Sequence, residues 1–434
     1  MTIAVVGTGY VGLTAGVCLS HFGNTVACFD IQEKKIERLS AGECIIYESG
    51  LEELLKKGLA SGNLIFTTDP ARAVQRADII FFSVDTPAGE YGKADLSRLL
   101  AAVKNCAQYM KPGAVFVNKS TAPVGTVQKM KEAIREVIGD TDFSVASNPE
   151  FLSEGNAVQD FLHPDRIVIG VEDARAEQML RAAYAPIIGD DHPLVVTTIP
   201  SAELIKYSAN AFLALKISFM NEIADFCEVC GADVKEIARG MGFDRRIGKY
   251  FLRAGIGYGG SCFGKDVSAL AMSAEEHGYE FKIIKALSQV NTLRYQIILK
   301  KLQKHLPDMK GKRIAVCGLA YKPMTDDVRD APAHRIIFEL LSLGARVSVY
   351  DPAANESFYA TFSHAAQVHF AGSAYAALGD ADALIILTEW DEFRNFDLSK
   401  VKQLMKGGVI IDGRNIFERR DVEHAGFIYE GIGR

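Results

Sequence analysis

The sequence predicts an α/β protein: two Rossmann-like, doubly wound parallel-sheet domains joined by a long central helical region. Three observations carry this. Short apolar runs alternate with helical stretches through the first half of the chain. A glycine-rich turn, Gly7-Thr8-Gly9-Tyr10-Val11-Gly12, follows the first apolar run directly. The last third of the chain repeats the plan of the first.

In chain order, Ile3–Val6 reads as a strand, Leu13–Phe22 as a helix closed by Gly23, and Thr25–Phe29 as a second strand running into Asp30. Further strands are expected at Leu64–Thr67, Ile79–Val84, Val115–Asn118, Ser144–Ala146, Ile167–Ile169 and Leu194–Val196. Ser201 is a candidate N-cap for a long helix over Glu203–Val229, with Gly231 as its stop. Its buried stripe is expected to be Leu204, Tyr207, Ala211, Leu215, Ser218 and Phe219. A second long helix is expected from Phe281 to His305. Long connecting helices of this kind often pack against a twin, so a homodimer through this region is expected. Beyond it, Ile314–Gly318 parallels Ile3–Gly7, and Gly344–Asp351 parallels Gly23–Asp30. Ala381-Asp382 opens a strand as Ala77-Asp78 does. The second unit lacks the glycine triad, since Leu319-Ala320-Tyr321-Lys322-Pro323 follows Gly318, so it should bind something other than a dinucleotide in the standard way. The expected division is 1–200, 201–306 and 307–434.

The chain has 434 residues, 48% hydrophobic and 24% charged, an ordinary globular balance. Its net charge of −6 excludes a nucleic-acid or other polyanion-coating role, while a small anionic ligand needs only a local cluster of cations. No run approaches the ~18 apolar residues of a membrane span. Met1 leads straight into an apolar strand, so no secretory signal is expected. Eight cysteines dispersed along such a chain read as reduced thiols of a cytoplasmic protein, most of them small buried hydrophobes. Cys227 and Cys230 form a CxxC inside a helical run, with no second CxxC to complete a metal set, and the nine histidines show no ligand spacing, so no metal is expected.

The glycine turn follows a strand, opens a helix and has an acid 18 residues after its last glycine. That is the context a dinucleotide fingerprint requires. Gly7 makes the tight turn, Gly9 lets the backbone approach a pyrophosphate over the helix N-terminus, and Gly12 allows close helix–strand packing. Asp30 should accept the adenosine ribose hydroxyls and repel a 2′-phosphate, favouring NAD over NADP, a preference tempered by Lys34 and Lys35.

Three further segments place polar residues beside glycine or proline. Gly257-Tyr258-Gly259-Gly260-Ser261-Cys262-Phe263-Gly264-Lys265-Asp266 precedes a helical run to His277, which puts Cys262 near a helix N-terminus. The helix dipole and Lys265 would favour thiolate there; the other reading is an inert cysteine after a flexible loop. In Glu203–Asn210, Lys206 and Asn210 share one helix face, so Lys206 is either a buried base or oxyanion donor, or a snorkelling surface lysine. Asn148–Glu154 carries Glu150 and Glu154 four apart, and upstream Lys119–Gly125 ends a strand, where parallel sheets bind ligands.

Taken together, Gly7–Gly12, Lys119–Gly125, Asn148–Glu154, Glu203–Glu222, Gly257–Asp266 and Gly318–Ala333 resemble the UDP-glucose/GDP-mannose dehydrogenase family across essentially the whole chain. Asn210–Phe219 and Lys322–Arg329 are similar to its UDP-glucose branch. The resemblance implies that UDP-glucose, two NAD+ and water give UDP-glucuronate and two NADH. The first oxidation makes an aldehyde and needs a base. The second needs a tetrahedral hydride donor, which thiolate attack supplies as a thiohemiacetal; its oxidation leaves a thioester for water to cleave.

By position in these motifs, the resemblance makes Cys262 the nucleophile and gives oxyanion stabilisation to Lys206 and Asn210, with Lys206 also a candidate base. Asp266 and Thr121 would position water, and Glu150 and Glu154 would aid hydrolysis and orientation. On the NAD side it adds Tyr10, Val11, Lys35, Thr86, Ser120, Thr121, Glu154, Lys265 and Arg329. On the substrate side, Glu150, Phe151 and Leu152 join Phe251, Leu252 and Arg253 along the nucleotide. Gly257, Tyr258, Gly259 and Phe263 belong to the loop that gives it backbone amides. Tyr321, Lys322 and Arg414 of the second Rossmann-like unit would face the diphosphate and sugar, and Arg246 would reach the sugar across a subunit interface. The regions become a NAD-binding domain, a central dimerisation domain with the cysteine loop, and a UDP-sugar domain. Two positions depart from the family: Gly264 stands where proline is usual, and Asp85 where asparagine is common. Competing readings keep the chemistry on UDP-N-acetylmannosamine or GDP-mannose, or make the chain a non-catalytic NAD sensor, which would need neither Cys262 nor Lys206.

Overall fold

A computed structural model describes residues 1–87, 89, 93–189 and 191–434. The chain divides into two compact units, one of residues 1–209 with 268–279, the other of 210–267 with 280–434. The helix Ile199–Cys230 runs from the first into the second.

The first unit is built on eight strands: β1 (Thr2–Val6), β2 (Thr25–Phe29), β3 (Leu64–Thr67), β4 (Ile79–Phe82), β5 (Val115–Asn118), β6 (Ser144–Ser147), β7 (Ile167–Val171) and β8 (Leu194–Thr197). Their order is β3-β2-β1-β4-β5-β6-β7-β8. Every neighbouring pair is parallel except β6 with β7, the one departure from the all-parallel sheet that the sequence predicts. Runs such as Ile79-Ile80-Phe81-Phe82 are buried on both faces, as strands between two helical layers must be. Alternate residues feed alternate layers: Ile3 and Val5 pack on one side of the sheet, Ala4 and Val6 on the other.

The second unit carries six parallel strands: β9 (Arg313–Cys317), β10 (Arg346–Tyr350), β11 (Val368–Phe370), β12 (Ala383–Ile386), β13 (Val409–Asp412) and β14 (Ile428–Glu430). Their order, β11-β10-β9-β12-β13-β14, is that of the first six strands of the other sheet. The duplication reaches single hydrogen bonds. Gly7 N donates to Phe29 O at 2.8 Å, and Gly318 N to Tyr350 O at 2.9 Å. Thr8 N donates to Asp30 Oδ2, and Leu319 N to Asp351 Oδ2. Asp78 takes the Thr2 amide and Asp382 the Arg313 amide, both at 2.9 Å. A carboxylate at the end of the second strand thus ties down the turn after the first in both sheets.

Several element boundaries differ from the sequence reading. The first helix spans Tyr10–His21, because Leu13 N already bonds Gly9 O, so the glycine turn supplies its first turn. β4 stops at Phe82; the Val84 carbonyl is taken by the Ser120 hydroxyl at 2.7 Å instead of a neighbouring strand. The central helix begins at Ile199, with Pro200 in its first turn, where its missing N–H costs nothing. Thr198, not Ser201, closes that end: its carbonyl accepts Ala202 N and its hydroxyl meets the Ser201 hydroxyl at 2.9 Å. The expected helix Phe281–His305 is two helices, Lys282–Leu293 and Gln296–His305, parted where Arg294 turns inward to donate to Gly255 O at 2.8 Å.

The buried stripe of the central helix also differs. Tyr207, Ala211 and Ser218 are buried as expected, but Leu204 and Phe219 are exposed and Leu215 is only half-buried. Glu203, Lys206, Asn210 and Asn221 occupy the inward face instead. The cysteines follow their expectation in part. Cys18, Cys28, Cys106, Cys227 and Cys317 are buried, Cys44 is half-buried, and Cys230 is exposed along with Cys262. Burial pushes the Cys18, Cys28 and Cys106 thiols up to about 12, which makes them inert.

Asp351 is 2% exposed and also holds Ala320 N and Trp390 Nε1. Asp351→Asn turns an NH2 group toward these donors and is expected to destabilise the second unit by about 3 kcal/mol. Denaturant unfolding followed by fluorescence of Trp390, the single tryptophan, checks it; an unchanged midpoint would contradict the role.

Candidate active site

The glycine turn is shaped as a cradle. Gly7 has φ +92°, and a Cβ there would lie 2.5 Å from Ser83 O. A Cβ on Gly12 would lie 1.9 Å from Gly7 O. A Cβ on Gly9 would meet nothing within 4 Å, so this is the glycine that keeps space open at the helix N-terminus. That open space, next to unpaired helix amides, fits the pyrophosphate of NAD. Asp30 is buried, and its Oδ2 accepts Thr8 N at 2.9 Å, Thr8 Oγ1 at 2.8 Å and Lys35 Nζ at 3.1 Å. Oδ1 accepts Gln32 N and keeps room for a further donor such as a ribose hydroxyl. Burial works to raise the Asp30 carboxyl, but Thr8, Gln32 and Lys35 outweigh it and hold it below the usual range.

The ends of β5 and β6 carry the next group. Thr86 Oγ1 donates to Thr121 O at 2.7 Å, fixing that loop beside Ser120. From the end of β6, Glu150 meets Lys206 of the central helix: Oε1 lies 3.0 Å from Nζ, with both side chains at most 6% exposed. Leu152 N donates to the other carboxylate oxygen at 2.5 Å. Burial alone would raise Glu150, but the Lys206 charge, the Leu152 amide and Lys119 together hold it low. The Phe151 ring has Arg166 stacked at 3.7 Å and Lys206 Nζ at 5.4 Å. Glu203 accepts Gly125 N at 2.7 Å and Val127 N at 2.9 Å, tying the central helix to the start of the helix Thr126–Ile138.

In the second unit, Cys262 is exposed, and its carbonyl accepts Asp266 N at 2.8 Å, so it sits at the head of the helix Phe263–Glu276. Asp266 is 1% exposed; it accepts Asn210 Nδ2 at 2.6 Å and pairs with Lys265 at 2.8 Å. The Lys265 ammonium, expected to act on the thiol, is thus engaged by Asp266. Gly264 lies within the first turn of this helix, where a Cβ would meet only Asp330 Oδ2 at 3.3 Å.

The loop before Cys262 is braced from several sides. Asn291 accepts Tyr258 N at 2.9 Å and donates to Tyr258 O at 3.1 Å. Gly260 N donates to Arg329 O, and the Tyr321 ring would lie 2.8 Å from a Cβ on Gly260. Arg414 spends its guanidinium on the carbonyls of Leu387, Tyr321 and Gly257 and lies 3.5 Å from Glu389. Tyr258 and Phe251 both meet Phe263 edge-on, and Lys322 Nζ lies 5.6 Å over the Tyr321 ring.

Within each unit the structure therefore gathers most of the residues singled out from sequence. Gly7, Gly9, Gly12, Asp30 and Lys35 form one group; Thr86, Ser120 and Thr121 a second; Glu150, Phe151, Leu152 and Lys206 a third. Asn210, Cys262, Lys265 and Asp266 form a fourth, and Tyr321, Arg329 and Arg414 enclose the glycine loop of Gly257, Tyr258 and Gly259. Tyr10, Val11 and Glu154 are half-buried, and Leu252 is buried. Arg246, with its side chain 85% exposed and paired with Asp244, stands apart from these groups, as does exposed Arg253. Asp85 is exposed. Asn291, Arg294, Arg166 and Tyr184 went unnoticed in the sequence, because their partners, whether backbone, ring or side chain, lie far along the chain from them. Among the described residues no group of His, Cys, Asp and Glu could hold a metal, and no helix is long and apolar enough to cross a membrane.

Residues 1–188 match the NAD binding domain of the UDP-glucose/GDP-mannose dehydrogenase family, 200–293 its central domain and 315–419 its UDP binding domain. The chain is 46% identical over its whole length to a UDP-glucose 6-dehydrogenase of Bacillus subtilis, covering 93% of that protein. It belongs to the UDP-glucose/GDP-mannose dehydrogenase family. Among solved structures of that family's fold, a UDP-glucose dehydrogenase from Pyrobaculum islandicum superposes with TM-score 0.93 at 38% identity, covering all of this chain and 97% of that one. A UDP-D-ManNAc dehydrogenase from Pyrococcus horikoshii gives 0.89 at 28%, covering 100% and 99%. The NAD-dependent dehydrogenase chemistry of the family accords with the glycine cradle and Asp30.

In this member of the family, Lys119 is a second buried cation behind the Glu150–Lys206 pair. Its Nζ contacts Asn148 Oδ1 at 3.1 Å and the Tyr184 hydroxyl at 3.2 Å. Burial, aided by Lys206 and opposed by Glu150, pulls its pKa down to about 8. A lysine depressed in the fold binds fewer protons there than when unfolded, so its contribution to stability rises with pH above that value. Relative to Lys119→Met, the wild type is expected to gain about 2 kcal/mol between about pH 8 and pH 10. Denaturant midpoints of the two proteins across that range check it; a constant difference would contradict it.

Proposed function

We propose that this chain oxidises UDP-glucose to UDP-glucuronate with two NAD+ and one water, through a covalent intermediate on Cys262. The observation that carries the reading is an exposed thiol at a helix N-terminus, after a braced glycine loop, in a family member 46% identical to a UDP-glucose 6-dehydrogenase. NAD supplies the hydride acceptor for both oxidations. Residues 1–200 would hold it, 201–306 would carry the cysteine loop and the dimer contact, and 307–434 would hold the UDP-sugar.

The chain's own groups divide the work as follows. In the first oxidation the C6 hydroxyl loses its proton and the C6 carbon a hydride, so that C6 becomes an aldehyde. The ion pair with Glu150 supports Lys206 as the cation for the C6 oxygen and leaves proton transfer to water held by Asp266 and Thr121. Cys262 Sγ then adds to the aldehyde carbon, the oxyanion so formed is held by Lys206 and Asn210, and loss of the second hydride leaves a thioester. Water, oriented by Glu150 and Glu154, adds to that carbon; the C–S bond breaks and the thiol and carboxylate are released. Phe251, Leu252, Arg253 and the amides of Gly257–Gly260 suit a nucleoside diphosphate, with Lys322 as a nearby cation. Arg414, engaged on three carbonyls, supports that loop more than it contacts phosphate.

A homodimer through the central helix is supported by Phe212, Phe219 and Phe226, spaced by seven residues and 62%, 48% and 63% exposed. Such a stripe on one helix face needs a cover. Exposed Arg246 would reach a partner's substrate from the same region. A reducing cytoplasm would keep Cys262 in its working state.

Two equivalents of NADH per UDP-glucose are expected, and none of the acid from Cys262→Ala. One equivalent with free aldehyde accumulating would overturn the mechanism. With UDP-N-acetylmannosamine and GDP-mannose alongside, UDP-glucose is expected to give the highest kcat/KM by at least about tenfold, roughly 1.4 kcal/mol of transition-state discrimination. Light scattering is expected to give a dimer, and a monomer for Phe219→Glu; a monomeric wild type would contradict the helix contact.

A further inference from the structure

One buried carboxylate in the first unit has no part in the chemistry described above. Glu48, in the segment before the helix Leu51–Ala60, is 9% exposed. The Tyr10 hydroxyl donates to its Oε2. Gly155 N lies 2.8 Å from the same oxygen and 2.7 Å from the Tyr10 oxygen. Tyr10 is the first residue of the first helix, next to the open position at Gly9. Gly155 directly follows Glu154 and stands five residues from Glu150. The three groups therefore form one closed knot between the dinucleotide turn and the acidic loop.

The knot is held at a cost. Burial raises the Glu48 carboxyl above its ordinary value, and nearby Asp160 adds to this, while the amides of Gly155, Val158 and Ala157 favour its charge. An uncharged residue would fill the space without that desolvation penalty. What a carboxylate adds is an acceptor strong enough to hold a phenol and a backbone amide at one point. These amides open the short helix Ala157–Leu162, so Glu48 also sets where the acidic loop ends.

We propose that Glu48 is a positioning residue that locks the Glu150–Glu154 loop to the glycine turn, so that the placement of the cofactor and of the acidic loop are set together. This rests on the reading of Glu150 and Glu154 as part of the reaction. Three variants of the full-length protein test it: Tyr10→Phe, Glu48→Gln and the double variant. NADH affinity by cofactor fluorescence, kcat, both KM values and Tm are measured for each. In Tyr10→Phe and Glu48→Gln, kcat is expected to fall about tenfold and NADH affinity to weaken, with the KM for UDP-glucose within about twofold of wild type. The double variant is expected to be no worse than Glu48→Gln alone, because both remove the same link. Tm of Glu48→Gln should stay within a few degrees, since the change removes a buried charge. Unchanged kcat in Tyr10→Phe, losses that multiply in the double variant, or losses that follow a fall in Tm would each overturn the proposal. If Glu48→Gln does not fold, Tyr10→Phe decides alone by the same criterion. A wild type that does not turn over UDP-glucose would instead sink the functional reading, while NADH affinities of the variants would still report on the link.

Discussion

The buried ion pair between Glu150 and Lys206 is the constraint around which the first unit's site is arranged. Both side chains are almost fully removed from water, and their 3.0 Å contact is what makes that tolerable. Removing either partner would strand the other charge at a cost of roughly 3–5 kcal/mol. The pair therefore fixes a strand end and a helix face together. It also dictates the helix: with Glu203, Lys206 and Asn210 turned inward, the large apolar residues Leu204, Phe212 and Phe219 are left on the outer face. The face that would cover a partner helix and the face that would meet substrate are two consequences of one choice.

Electrostatics around the pair follow the same logic. Lys119 adds a second cation behind it, and its depressed pKa reflects how little water reaches that point. Lys119 and Lys206 thus both act on the one carboxylate of Glu150 near the ends of β5 and β6. An oxyanion forming there would find compensation that the resting protein lacks. In the second unit Asp266 is the counterpart, binding Asn210 and Lys265 at once and leaving Cys262 exposed at the head of its helix.

Much of the fold was legible because it is written in local patterns. Leu64–Thr67 and Val115–Asn118 are strands to the residue, since strands buried on both faces read as short, nearly continuous apolar runs. The duplication was visible from Gly7 and Asp30 against Gly318 and Asp351, and the structure repeats their hydrogen bonds. Helix ends were less legible: Thr198 caps the central helix, and the break at Arg294 depends on a carbonyl 39 residues away. Of the candidate residues, Cys262, Lys206, Asn210 and Glu150 could be found by motif. Asn291 and Glu48 could not, because each serves the backbone of a residue far along the chain and belongs to no chemical pattern. Arg414 was found, but its use as a brace on three carbonyls was not.

Passage of the substrate through the second oxidation on Cys262 leaves a covalent trace. Intact-protein mass spectrometry of the enzyme quenched during turnover with UDP-glucose and NAD+ should find one acyl adduct per chain, released by hydroxylamine, mapping to the peptide containing Cys262 and missing from Cys262→Ala. Release of two NADH per substrate with no adduct at any stage of a rapid-quench series would contradict it.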